Sequence, residues 1–240
     1  LGGGENLFLP AGVEGVHGGR GVRQDGRNLI EEAKKAGYTV VYTREQLLAL
    51  PNDTGKLLGI FAPHSTFNDK TEKDLAEAGL PLFDESAPTV AEMTGVALRL
   101  LANNAEELGK PFLLIVEEEG SDNFSNKNNA AGMLEAMRRA DETVRVVSRW
   151  RQDHPDSFLV VAADSDAGSP TVWAPFGDHE TLPAKDKNGA PIDGKNGAGG
   201  EPFQSAPDDR GNTYPFGIAW AVLGDVPGAV LVRADGVNSQ

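Results

Sequence analysis

The stretch Phe112–Met137, FLLIVEEEGSDNFSNKNNAAGMLEAM, decides how this chain is read. An apolar segment runs straight into acids and amides, and these run into a helical pattern. Glu117 and Asp122 are separated by four residues, and Asp122 and Asn126 by three. Oxygen-bearing side chains packed into the join between a buried strand and a helix sit where open α/β sheets bind ligands, beyond the carboxyl ends of the strands.

The flanking sequence repeats this alternation. DGRNLIEEAKKAG predicts a helix stopped by Gly37, YTVVYT a strand, TREQLLAL a short helix and KLLGIFA a buried strand. A polar loop follows from Pro63 to about Ala87. Thr89 and Glu92 form a capping box for a helix whose apolar face carries Val90, Met93, Ala97, Leu100, Leu101 and Leu108. FLLIVEE predicts a strand, and about 128–152 a long helix with Met133, Met137, Ala140, Val144 and Val147 along one stripe. SFLVVAA and GAVLVRA predict two more strands. Apolar strands alternating with helices predict an α/β fold, a mostly parallel central sheet with helices on both faces. Residues 165–215 show no regular pattern and contain the Gly-rich KNGAPIDGKNGAGGEP. This segment is a long loop over the site or a small subdomain; otherwise residues 1–240 read as a single, partial domain.

Composition narrows the function. The chain has 240 residues, a net charge of -14 and no cysteine. Disulfides and thiolate chemistry are excluded. The acidic balance argues against a nucleic-acid partner, which would demand clustered Lys and Arg. No apolar run approaches the roughly 18 residues of a membrane span. The chain opens LGGGENLFLP, with no Met or signal peptide, and closes just after an apolar run, so both ends read as cut.

Three acidic clusters stand at strand ends: EEEGSDNFSN, the ADSD of Asp164, Ser165 and Asp166, and the LGD of Asp225. Gathered at one sheet edge, such oxygens suit hard divalent cations, and paired ions clamp a phosphoryl group. The plain alternative is that these acids cap helices and solvate loops, with Asp122 as the N-cap of the long helix. The run from Asp122 to Asn128 is not an EF-hand loop. It lacks Gly at the sixth place, and the twelfth is Met133 rather than Glu.

At these residues the sequence resembles the alkaline phosphatases, over nearly the whole chain but only the later part of their fold. PTVAEMTGVALRLL is similar to the family's P-x-[LM]-A-x-M-T helix. VEEEGSDNFSNKNNAAGMLEAMRRADETV is similar to its VEGxxIDxxxHxND segment, VVAADSDAG to VTADHxHG, and WAVLGDVPG to WTTxGHTG. The resemblance implies that Glu117 is a Mg²⁺ ligand, Asp122 a carboxylate of the first zinc site and Asp164 that of the second. Asn126, Ser165 and Asp225 fall where the family has zinc-binding His. Imidazole suits Zn²⁺ and oxygen suits Mg²⁺ or Ca²⁺. The expected cofactors are therefore divalent ions, with Mg²⁺ and Ca²⁺ favoured, Mn²⁺ admitted and Zn²⁺ disfavoured.

The activity implied is metal-dependent hydrolysis of a phosphate monoester, with inorganic phosphate as product. Two alternatives stand beside it, a phosphodiesterase on the same core and a non-catalytic metal-binding relative. The family's nucleophilic Ser or Thr and its phosphate-binding Arg match nothing in this chain. Ser165 follows Asp164 as a nucleophile would, but it has no His nearby in sequence. Asn123 occupies a phosphate-side place, and Asp166 is a further candidate. His17 and His154 read as loop residues; His64 and His179 stand in loops able to fold over a site, His179 between Asp178 and Glu180. The resemblance also implies a homodimer in a periplasmic or extracellular setting.

Overall fold

Along the chain the computed structural model, described for residues 1–174, 181–237 and 239, contains the helices α1 (Glu5–Phe8) and α2 (Leu29–Lys35), the strand β1 (Tyr38–Val41), α3 (Arg44–Leu48), β2 (Lys56–Gly59), α4 (Glu72–Ala78), α5 (Val90–Leu108), α6 (Gly120–Ser125) and α7 (Ala130–Gln152). The strands β3 (Phe158–Ala162), β4 (Asp166–Ala167), β5 (Pro170–Trp173), β6 (Ile192–Gly194), β7 (Gly197–Ala198), β8 (Phe203–Gln204), β9 (Pro215–Trp220), β10 (Asp225–Val226) and β11 (Val232–Gly236) follow. These elements group into two compact units. The first comprises Leu1–Asn68, Phe83–Glu117 and Arg139–Asp153, and the second Asp69–Leu82, Glu118–Arg138 and His154–Gln240.

In the first unit β1 and β2 pair in parallel, Tyr38 opposite Lys56 and Val41 opposite Gly59. Val41, Leu47, Phe61, Met93, Val96 and Leu100 pack into one core, so the apolar side of α5 faces the strands as its periodicity requires. The capping box forms: Thr89 Oγ1 accepts from Glu92 N–H at 3.2 Å, and Glu92 Oε2 accepts from Thr89 N–H at 3.0 Å. The same Glu92 carboxylate takes Arg44 Nε at 2.9 Å, which ties α3 to α5. Buried Glu5 folds the Gly-rich loop by accepting from Val16 and His17 N–H at 2.8 and 2.9 Å. His17 Nε2 pairs with the Ile60 carbonyl at 2.9 Å, so this histidine braces a loop.

In the second unit the strands run β5-β9-β6-β7, with β8 also on β9. Every one of these pairs is antiparallel, as are β4 with β10 and β3 with β11. The segment that shows no regular pattern in the sequence therefore holds strands of only two to four residues between β4 and β8. Strands so short cannot establish a period. Trp220 and Ile192 fill the centre of this unit.

The described strands do not assemble the expected central sheet. Among the described strands the one parallel ladder is β1–β2, and the chain builds small, mainly antiparallel sheets. The strand expected from FLLIVEE is absent. Residues 112–118 run without a ladder, with Leu113 81% and Ile115 82% exposed. An extended segment becomes a strand only when neighbours take its backbone groups, and apolar sequence alone does not supply them. Two smaller differences follow. The loop expected from Pro63 to Ala87 contains α4, whose N-cap Thr71 accepts from Asp74 N–H at 3.1 Å. Met137 and Leu108 lie on exposed helix surface rather than on the buried stripes.

Candidate metal-binding site

Two backbone devices assemble the candidate residues in the second unit. The short helix α6 puts Asp122 in its first turn and Asn126 at its C-cap, one turn apart on the same face. The β4–β10 ladder sets Asp225 opposite Ala167 and Val226 opposite Asp166. Asp225 thereby joins the segment Asp164–Asp166, although it is far from it in sequence.

The side chains meet. Asn126 Nδ2 donates to Asp122 Oδ1 and to Asp225 Oδ1, each at 2.8 Å. Ser165 Oγ donates to Asp122 Oδ2 at 3.3 Å. Burial pushes the Asp122 carboxyl above its ordinary value. The nearby Asp225 carboxylate raises it further, Asp164 adds a smaller repulsion, and the Ser165 hydroxyl opposes the shift. Four of the residues expected from the sequence are thus joined by hydrogen bonds, and Asp164 is felt through its charge.

The others are placed differently. Glu117 belongs to the first unit and is exposed. Asp166 accepts from Ser169 Oγ at 3.0 Å and packs against Gly228. Asn123 is half-buried within α6. His64 is exposed in the first unit, and His179 lies outside the described residues. Asp122 does not cap the long helix. That role falls to Asn129, fully buried, whose Oδ1 accepts from Gly132 N–H at 2.6 Å.

Does this set suit a cation? Two carboxylates converge on one amide nitrogen, which sits between them where a positive charge would be favoured. The other amide atom, Asn126 Oδ1, is buried without a hydrogen-bond partner. A buried acceptor left unpaired costs about 1–3 kcal/mol. An amide can offer its oxygen to a metal as readily as its nitrogen to a carboxylate. Among the described residues no three His, Cys, Asp or Glu side chains form a metal-holding group by themselves. The donors that fit are therefore mixed, carboxylate with amide and hydroxyl oxygen, a hard set with no imidazole.

Sequence reasoning missed a second acidic pair. Glu72, at the start of α4, accepts from Ala131 N–H at 3.3 Å. Asp193 in β6, 3% exposed, accepts from Trp220 Nε1 at 2.7 Å. Both line a cleft of about 770 Å³ in the second unit. Burial pushes Glu72 up to about 7 and Asp193 up to about 6. Neither stands at the end of an apolar run, which is the signal that marks the first group.

A family model for alkaline phosphatase matches residues 1–188. The membrane-bound alkaline phosphatase of Bombyx mori is 33% identical over 171 residues, covering 68% of this chain and 28% of that protein. The streptomycin-6-phosphate phosphatase of Streptomyces griseus is 31% identical over 196 residues, covering 77% of this chain and 41% of its own length. Among solved structures, Thermus thermophilus alkaline phosphatase is 30% identical with a TM-score of 0.53, covering 70% of this chain and 31% of that one. A cold-active Shewanella alkaline phosphatase matches 100% of this chain and 59% of its own at a TM-score of 0.61 and 22% identity, a likeness of fold. The chain thus spans well under half the length of these curated relatives.

Proposed function

We propose that this chain, which belongs to the alkaline phosphatase family, is the metal-holding part of a phosphomonoester hydrolase whose ions are bound by oxygen. The α/β fold of its neighbours supports the architecture expected from the sequence, a mostly parallel sheet completed by the remainder of a full-length protein. On this reading residues 165–215 form an excursion of one domain over the site.

One observation carries the proposal. The buried, unpartnered Asn126 Oδ1 stands beside two carboxylates that share its own amide nitrogen. Asp122, Asn126 and Asp225 would hold one ion, Asp164 and Ser165 a second, and Glu117 a third. A divalent ion, when bound, supplies Lewis-acid polarisation of a phosphoryl oxygen and a lowered pKa for its water. The protein's own contribution is to bring Asp122 and Asp225 together against their repulsion. It also orients Ser165 through its hydrogen bond to Asp122 and excludes water from the amide oxygen. The attacking nucleophile is assigned to no residue of this chain. Mg²⁺ and Ca²⁺ are the favoured ions, with Mn²⁺ next. A homodimer outside the cytoplasm accompanies the reading; among the described residues no helix is long and apolar enough to cross a membrane.

The test is hydrolysis of p-nitrophenyl phosphate by the chelated full-length protein, with Mg²⁺, Ca²⁺, Mn²⁺ and Zn²⁺ restored singly. Recovery with an oxygen-preferring ion is expected. Recovery with Zn²⁺ alone would reverse the metal assignment.

A further inference from the structure

Asp122 and Asn126 come from one helix, but Asp225 reaches them from 99 residues beyond Asn126. Something must fix that distance. The backbone after α6 shows what does. Asn128 N–H donates to Ser125 O at 2.8 Å, and Asn129 N–H donates to Phe124 O at 2.9 Å. This pair of bonds is the Schellman pattern, which ends a helix with a left-handed residue. Asn128 is that residue, with φ +52°.

Glycine is the usual occupant of this position, because a Cβ is disfavoured there. The backbone turn admits asparagine as well as glycine, so the turn alone does not choose between them. The side chain does. One end of its amide stands 2.9 Å from the Val222 carbonyl, in the loop ahead of β10, and 3.3 Å from the Ser125 carbonyl; two carbonyls call for a donor, which assigns that end as Nδ2 donating to both. Val222 stands three residues before Asp225. The loop is gripped from its other side by Gly168, whose N–H donates to Gly224 O at 3.0 Å and whose carbonyl accepts from Ala221 N–H at 3.2 Å. Gly168 has φ +70°, and a Cβ there would come within 2.6 Å of Ser125 O, so α6, the Gly168 turn and the Val222 loop are in direct contact.

We propose that Asn128 is a positioning residue of the metal site: its side chain, not its turn, sets Asp225 against Asn126 and Asp122. This rests on the metal-site reading given above. The tie spans the two segments that supply the ligands without using a ligand atom. Residues supporting metal ligands in this way typically change affinity by about 10–100-fold.

The experiment measures Mn²⁺ binding by EPR, and apo thermal stability, for the full-length wild-type protein, N128G and N128D. N128G keeps the left-handed turn and deletes the tie. N128D tolerates the same backbone but turns an acceptor toward the Val222 carbonyl. The expected result is a roughly tenfold or greater rise in the Mn²⁺ dissociation constant for both variants, with the apo midpoint of N128G close to wild type. Wild-type affinity in N128G, or a loss of affinity matched by a loss of apo stability, overturns the inference while leaving the metal reading intact. Failure of the wild-type protein to bind Mn²⁺ overturns both, so the two failures are distinguishable.

Discussion

Two acidic groups in the second unit have the same primary perturbation and different accounts to give of it. In both, burial raises a carboxyl above its ordinary value. Around Glu72 and Asp193, fixed donors answer the carboxylates: the Ala131 N–H at the head of α7 and the Trp220 indole. Around Asp122 and Asp225 one amide is shared by both carboxylates, with the Ser165 hydroxyl on Asp122 alone, and the amide oxygen is left buried and unpaired. A buried polar group with its partners present serves the fold. On the proposed reading, one that gathers negative charge and leaves an acceptor unanswered is a candidate to receive a cation. Acidity and burial are common to both groups; the hydrogen-bond partners are what distinguish them.

The sharpest way to break this distinction is to neutralise each group in turn. D122N or D225N should lower phosphatase turnover of the full-length protein by more than about 100-fold, beyond the usual effect of supporting residues, while E72Q should leave turnover at the wild-type level. A steady-state assay at saturating metal decides it. The second effect is structural. W220F strips the donor from a carboxylate that is 3% exposed, and should cost about 1–3 kcal/mol in denaturant unfolding with metal affinity unchanged.

A third test uses pH. Glu72 and Asp193, raised to about 7 and about 6, bind protons more tightly in the folded than in the unfolded chain. Their contribution to stability is fully present below the ordinary carboxyl range and is lost as pH rises through those values. Thermal stability should therefore fall from about pH 5 to pH 8, and E72Q should flatten that fall, raising the midpoint at pH 8 by roughly 2–4 °C. The smallest effect separates the cleft from its rim. K73A removes an exposed contact to Glu77 at 3.8 Å and should change stability by less than about 0.5 kcal/mol.

The clustering of the candidate residues was more legible in the sequence than strand pairing was. Asp122, Asn126, Ser165 and Asp225 could be found because each stands just beyond an apolar run or within one helical turn of another candidate, and both rules are local. Strand pairing asks more of local pattern than it can give. FLLIV has the composition of a buried strand, but pairing depends on neighbours that the apolar run does not encode, and Leu113 and Ile115 stand exposed. α4 was readable in retrospect from Thr71 and Asp74 ahead of Gly79, a cap and a stop hidden in an acidic loop. Asn128 was not. A left-handed backbone angle leaves only a weak trace in sequence, a preference for Asn or Gly, and its tie to Val222 is visible only in three dimensions. The Glu72–Asp193 pair was hidden for the same reason, because Trp220 joins it from a distant strand.

The most direct measurement is equilibrium binding of Mg²⁺, Ca²⁺ and Zn²⁺, each alone, to the chelated full-length protein and to its D225N variant. The account predicts that Mg²⁺ or Ca²⁺ binds the wild-type protein and is lost from D225N, with Zn²⁺ binding weakly to both. Tight stoichiometric Zn²⁺ in the wild-type protein, or Mg²⁺ and Ca²⁺ binding that survives D225N unchanged, would contradict it.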